Sequence, residues 1–433
     1  MTPGLAFFYG GMVRSKNVLG MLMQNYVTIG IVSVLWVLVV YSIAFGKDAG
    51  VHGLFGNLHQ FGLAHMGEQV AGYVSADGKN TYLQTIPPLV FVGFQLMFAV
   101  ITPALITGSI ADRVKFGAFC VFIAVWIIVI YGPIAHWVFS PEGWLFKKGA
   151  EDFAGGTVVH ANAGAAGLAL CLIVGRRIGW PKEQMKPHNV PFVLLGAAML
   201  WFGWFGFNAG SALGANNLAG YAFINTNTAT AAAMLGWLLV EKLRDGHATT
   251  LGAASGAVAG LVAITPACGF VSPLGSIAIG LIAGALCCAC TVLKYKLGFD
   301  DSLDVVAVHL VGGVTGALLI GFFGTKATGI GIDGVFYGGG WHLMRLQILV
   351  VACAVGYSFV GTLVIGKVID LVMGLRLRPD DEREGMDSVL HAESAYEFGR
   401  AVGGKTLVGS GVMHADEALP AAAPAMRAGE ANA

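Results

Sequence analysis

Charge is scarce in this sequence: Asp, Glu, Lys and Arg make up only 12% of its 433 residues, against about 25% in an ordinary soluble domain. That shortage excludes a typical soluble globular fold. Neither sign is in excess, with 25 basic and 25 acidic residues, so no basic face is offered to nucleic acid. Cysteine is sparse too. All seven, at positions 120, 171, 268, 287, 288, 290 and 353, fall in apolar stretches and read as small packing residues. Cys287, Cys288 and Cys290 cluster, but no His or acid lies near them and their spacing matches no zinc signature. No metal or cofactor is expected.

What the chain has instead is apolar length and glycine. Apolar residues are 56% of the total and glycines number 63, roughly twice the usual share of about 7%. Small residues let helices approach closely in lipid, which offers them no hydrophobic driving force for association. Charge-free runs of spanning length occupy 17–46, 87–111, 116–139, 154–175, 190–211, 219–240, 249–271, 273–293 and 346–366. One more, 304–323, carries Asp304 at its start and His309 inside. These predict ten complete helical spans, because helices satisfy their own backbone in lipid. Met1–Val13 is apolar but too short to cross and lacks the basic start of a signal peptide, so it reads as a fragment of a first span.

Counting that fragment, the loops after odd-numbered spans hold Arg14, Lys16, Arg113, Lys115, Arg176, Arg177, Lys182, Lys186, Lys242, Arg244, Lys294 and Lys296. The opposite loops hold Lys47, Lys79, Lys147, Lys148, Lys326 and Arg345. Twelve positive charges against six place the odd-numbered exits, and the tail after about residue 367, in the cytoplasm by the positive-inside rule. The end of the chain, Ala/Pro-rich over 418–433, has no core-forming content and is expected to be disordered.

More than about one turn from the end of any span, the only Asp, Glu, Lys, Arg or His residues are His160 and His309. Each follows a Val and has Gly four and seven positions later, Gly164 and Gly167 in one case and Gly313 and Gly316 in the other. An acid precedes each, Asp152 and Asp304. An odd number of crossings separates the two helices, so they run in opposite directions, which is the pattern of an inverted repeat with its site between the halves. One such His is as well explained by an interior hydrogen bond, but two in matched settings point to a pathway. Simple depth counting leaves the pair about 13 Å apart along the membrane normal. A narrow apolar route must replace a cation's hydration shell or remove its charge. Neutral imidazoles, with a pKa near neutrality and a donor and an acceptor between them, suit the second option for a cargo with a detachable proton.

These residues resemble the ammonium transporters, the Amt branch of the Amt/Rh family, along nearly the whole chain. The motifs are Phe8-Tyr9-Gly10-Gly11 with Arg14 and Lys16-Asn17-Val18-Leu19, and Ala104-Leu105-Ile106-Thr107-Gly108 before Asp112-Arg113. Asp152-Phe153-Ala154-Gly155-Gly156-Thr157-Val158-Val159-His160 and Gly203-Trp204-Phe205-Gly206-Phe207-Asn208-Ala209-Gly210-Ser211 follow, then Asp301-Ser302-Leu303-Asp304 and the segment from Gly374 to Tyr396. The resemblance implies an all-α, eleven-span inverted-repeat bundle, truncated in its first span here, with one pore per protomer of a homotrimer. It implies a bacterial inner-membrane ammonium transporter, N-terminus outside and C-terminus inside, with residues 1–373 as transporter, 374–400 as regulatory tail and 401–433 as a disordered end.

By that resemblance His160 and His309 are the paired pore histidines, Phe98 and Phe207 the stacked gate, and Thr265 and Trp204 part of the pore lining. Ser211 belongs to the outer recruiting vestibule and Asp152 supports it from below. On the residues alone, a cap on its span accounts for Asp152 equally well, a local bond for Ser211, and plain packing for any Phe. Phe139 stands where the family usually has Trp, whose face attracts cations more strongly. In the tail, Arg376, Asp387, His391 and Tyr396 resemble the segment that docks on the pore's cytoplasmic face and meets a trimeric nitrogen regulator of the PII type. Ala392 stands there where Gly is common. An ammonium sensor is the alternative, and a fused kinase or cyclase would support it; the 433 residues contain no such segment. A haem redox protein would need paired His ligands for each haem.

Overall fold

The computed structural model describes residues 1–66, 86–396 and the short segments 72–74, 81–83, 406–408 and 411–413. Eleven helices make the body. They are α1 (Thr2–Met12), α2 (Ser15–Phe45), α3 (Pro88–Ile106), α4 (Phe116–Lys147, interrupted after Phe139), α5 (Gly156–Val174) and α6 (Val190–Gly210), then α7 (Asn217–Asp245), α8 (Thr250–Ile264), α9 (Pro273–Leu297), α10 (Val306–Phe323) and α11 (His342–Met373). Nine are long and apolar enough to cross a membrane; α1 and α8 are shorter. Two small helices follow, α12 (Pro379–Glu384) and α13 (Met386–His391). The strands among the described residues form two hairpins of three-residue strands, 72–74 with 81–83 and 406–408 with 411–413. The rest of the segment expected to be disordered, 401–433, lies outside the described residues.

The run 249–271 yields a helix only to Ile264 because Pro266 has no N–H to donate and crowds the preceding turn. Outward-facing Phe202, Leu235, Leu243, Val360, Val364 and Leu371 are each more than half exposed, which suits lipid as the surrounding solvent. A network of buried ion pairs lies at one end of the bundle. There Asp112 accepts from Asn17 Nδ2 at 2.6 Å and pairs with Arg14 and Arg177, while Arg177 also grips Asp300 through two bonds of 2.9 Å. These are loops after α1, α3, α5 and α9, the set singled out above by its positive charge.

The glycines after the two histidines explain themselves at the crossing of α5 and α10. A Cβ on Gly164 would stand 2.3 Å from the backbone N of Leu310, and one on Gly313 would stand 2.7 Å from the carbonyl of Gly156 and 2.8 Å from the N of Ala161. Only hydrogen fits at either place. As the chain advances along α10 it retreats along α5, so the helices are antiparallel, as the inverted repeat requires.

That crossing corrects the depth estimate. Each histidine sits about one turn into its helix, so both helices begin one turn short of the point where they meet, rather than at opposite ends of the bundle. The 13 Å separation assumed that each apolar run is helical from its first residue. Instead Gly155 turns the chain with φ of +100°, and Asp304 does the same with φ of +61°.

This also corrects the pairing of acids. Gly155 and Asp304 both lie five residues before a histidine and share the left-handed conformation. Asp152 and Asp301 both lie eight residues before and accept hydrogen bonds from the first N–H groups that follow. Asp301, and not Asp304, is the repeat partner of Asp152.

Candidate functional site

A helix that starts inside an apolar bundle must satisfy its first N–H groups locally. Asp152 does this for α5: Oδ1 accepts from Gly155 and Gly156 at 2.8 and 2.7 Å, and Oδ2 from Thr157 and Val158 at 2.8 and 3.1 Å. Both oxygens are committed to the backbone, so Asp152 acts as a helix cap beneath the pore and orients the turn that carries His160. The first turns of both helices are π-helical, Gly156–Ala161 and Val306–Val311, a widening that recurs at functional sites.

The two imidazoles face each other in the buried crossing. Nδ1 of His160 and Nδ1 of His309 are 3.3 Å apart, with ring centroids 5.4 Å apart and planes 19° from parallel. His309 Nε2 lies 3.4 Å from the hydroxyl of Tyr9, which itself donates to Leu105 O at 3.2 Å. These partners assign the tautomers. With the Tyr9 proton directed at Leu105, His309 Nε2–H donates to Tyr9 Oη, His309 Nδ1 is the acceptor, and His160 Nδ1–H donates to it. His160 Nε2 is then left with a bare lone pair, and it is a buried atom without a hydrogen-bond partner among the described residues.

A column of rings leads up to that nitrogen. Trp204 lies flat against His160 at 5.3 Å and 16°, and its Nε1–H donates to Thr265 Oγ1 at 2.7 Å; Thr265 in turn donates to Leu261 O at 2.6 Å. Phe207 stands 5.8 Å from Trp204 and stacks on Phe98 at 3.8 Å and 19°. Phe139 sets its ring at 86° to that of Phe98, 6.0 Å away. Phe98, Phe207, Trp204, Thr265, His160 and His309 are all buried, and Phe139 is half-buried. Seven of the nine candidate pore residues are thus in one connected stack. The other two behave differently: Asp152 caps α5, and Ser211, at the end of α6, spends its hydroxyl on Phe207 O at 2.9 Å. That local bond turns Ser211 back onto its own helix.

Tyr9 and Asp301 escaped the sequence reading. Tyr9 lies in the Phe8–Gly11 motif, but its helix is too short for depth to be counted from the pattern. Asp301 stands next to Asp300, and without the turn at Asp304 nothing marks which acid matches Asp152.

The tail residues lie against the charged end of the bundle. Asp387 accepts from the backbone N–H groups of Leu19 and Gly20 at 3.0 and 2.8 Å, capping the long part of α2. Arg376 pairs with Glu382 at 2.8 Å and donates to Val174 O, while Glu382 accepts from Ile178 N. His391 sets its ring edge-on to Phe116 at 5.1 Å, and Tyr396 meets His188 Nε2 at 2.9 Å. Burial raises the Asp387 carboxyl above its ordinary range, against the pull of the Gly20 and Leu19 N–H groups.

The family model described as Ammonium Transporter Family matches residues 1–396. An ammonium transporter of Mycobacterium bovis is 52% identical over 425 residues, covering 93% of this chain and 88% of that protein. Among solved structures, Mep2 of Saccharomyces cerevisiae superposes with a TM-score of 0.79 at 34% identity over 88% of this chain and 84% of that one. A structure described as a sensor Amt protein gives a TM-score of 0.79 at 32% identity over 90% and 94%.

Proposed function

The chain belongs to the ammonium transporter family and is a multi-pass membrane protein of ammonium transport, and from that premise we propose that it carries ammonium by separating the cation into ammonia and a proton at His160. The observation that carries the reading is the unpartnered, buried Nε2 of His160 behind the stacked Phe98 and Phe207. An ammonium ion that passes the two rings meets a lone pair in a buried site lined by aromatic rings. A charge that costs several kcal/mol to bury is removed when the N–H proton moves to that nitrogen. Ammonia continues past the imidazoles as a neutral molecule. Potassium has no proton to give and is rejected at the same step, which makes the pair a chemical filter.

The stack supports this order of events. Trp204 and Thr265 fix the plane of His160, Phe139 and Ser211 belong to the outer approach, and Asp152 holds α5 in register. Residues 1–373 form the transporter, and 374–400 a tail that reports to a PII-type regulator at the cytoplasmic face. The assembly is a homotrimer in a bacterial inner membrane, N-terminus outside. A sensor role is the second reading, favoured by the likeness to the sensor Amt structure. Purified protein in liposomes tests the proposal: an ammonium pulse should drive labelled uptake and a current, and a potassium pulse neither. Equal passage of potassium, or no ammonium uptake, contradicts it.

A further inference from the structure

The fold treats its two helix-capping carboxylates unequally. Asp152 has four backbone donors on two oxygens. Asp301, its repeat partner, accepts from Val306 N at 2.7 Å through Oδ2, whereas Oδ1, in a side chain only 1% exposed, has no hydrogen-bond partner among the described residues. Capping alone explains the presence of both acids. It does not explain why one is left half-open.

The location of that open oxygen is informative. A Cβ on Gly108 would stand 2.7 Å from both Tyr9 Cζ and Val305 Cγ2, so the phenol end of Tyr9 abuts the beginning of α10, the turn that Asp301 caps. Tyr9 is also the partner of His309 Nε2. On its other side Asp301 leads into Ser302, Leu303 and Asp304, which line a cavity of about 380 Å³ together with Arg177 and Lys294. Lys294 Nζ pairs with Asp304 at 2.8 Å and donates to Asp301 O at 3.2 Å. Asp301 therefore stands between the inner end of the histidine pair and a polar cavity on the charged side of the bundle.

We propose that Asp301 is the proton acceptor at the inner end of the pair, receiving the proton that ammonium leaves at His160 and releasing it into the cavity lined by Asp304 and Lys294. The proposal rests on the transport reading above. The steps balance: ammonium loses H⁺ to His160 Nε2, His160 Nδ1 passes its proton to His309 Nδ1, and His309 Nε2 passes its own to Tyr9. The Tyr9 hydroxyl proton moves to the Asp301 carboxylate, and one proton leaves Asp301 for the cavity, so each group ends with the proton count it began with.

The surroundings suit reversible protonation. Burial raises the Asp301 carboxyl above the ordinary carboxylate range and the neighbouring Asp304 charge adds to the rise, while Lys294 and the N–H groups of Val306 and Val305 oppose it. The other titratable groups facing it are Tyr9 from α1 and Cys171 from α5. Arg113 holds the neighbouring Ser302 hydroxyl and Asp300 carbonyl, both at 2.6 Å.

Asp301→Asn tests the role, because the amide oxygen still caps Val306 while the group no longer takes a proton. In liposomes its ammonium-evoked current should fall on the order of a hundredfold, the scale of one lost acid–base group, with its unfolding temperature unchanged. Asp301→Glu should recover current with a shifted pH midpoint. Wild-type current and pH profile in Asp301→Asn would overturn the proposal. If Asp301→Asn does not assemble, Asp301→Glu decides: an unshifted midpoint overturns it. Uptake without current in the wild-type protein would instead overturn the underlying transport mechanism. Current that survives in Asp301→Asn but is lost in His160→Ala overturns the role of Asp301 alone.

Discussion

The indole N–H of Trp204 donates to Thr265 Oγ1 at 2.7 Å, and the same indole lies parallel to the His160 ring 5.3 Å away. One hydrogen bond to the residue that follows α8 therefore helps to set the orientation of a histidine on α5. Thr265→Val keeps the shape and removes the acceptor, leaving a buried N–H unpaired at about 1–3 kcal/mol. The variant should unfold at a lower temperature and transport more slowly, measured by thermal unfolding and labelled uptake. Wild-type values of both would mean that packing alone orients the ring.

Phe139 meets Phe98 edge-on at the half-buried end of the stack, the end from which the proposed route is entered. Phe139→Trp should strengthen capture by about 0.5–2 kcal/mol, read as a lower half-saturation concentration with little change in turnover. An unchanged half-saturation concentration would place the cation's first contact elsewhere, on another aromatic such as Trp137.

Glu151 tests burial through pH. Its Oε1 accepts from Ile332 N at 2.8 Å, its backbone is clasped by Gln347 at 2.8 and 3.1 Å, and burial raises its carboxyl from 4.5 to about 8. Between those values the folded protein keeps a proton that the unfolded chain has lost. The contribution to stability is therefore full below pH 4.5, declines as pH rises through this window, and is gone above about 8. Glu151→Gln keeps the acceptor for Ile332 and cannot ionise. Relative to wild type it should gain about 1–3 kcal/mol between pH 5 and pH 8.5, within the limit of about 1.4 kcal/mol per pKa unit. A difference independent of pH contradicts this.

Much of the molecule was legible because membrane helices must be long and apolar. Nine of the ten runs expected to span became helices of spanning length, 249–271 being cut short at Ile264, and the antiparallel sense of α5 and α10 was legible too. Depth was not legible, since the pattern does not reveal that Gly155 and Asp304 turn the chain before each helix begins. The same blind spot paired Asp152 with Asp304 in place of Asp301. Ser211 carried no signal of where its hydroxyl points, and its bond to Phe207 O emerges only from the helix geometry. The Phe98–Phe207 pair came from family resemblance, because periodicity does not distinguish two stacking rings among 26 phenylalanines.

The tail offers a test of regulation. Asp387 caps α2 and Ala392 ends α13 in the left-handed conformation with φ of +55°, at about 1–2 kcal/mol for a residue with a Cβ. Asp387→Ala and deletion of 374–433 should both lower uptake, and the deletion should abolish capture of a PII-type regulator. Ala392→Gly should protect the tail from proteolysis. Undiminished uptake and capture in the deletion would remove the tail from regulation.

The most direct test of the account is ammonium-evoked current recorded together with thermal unfolding on His160→Ala and His309→Ala in liposomes. Each change breaks the Nδ1–Nδ1 contact of 3.3 Å and removes two nitrogens from the proton's route. The account predicts loss of the current in both variants, with assembly and fold retained. Wild-type currents from both well-folded variants would contradict it.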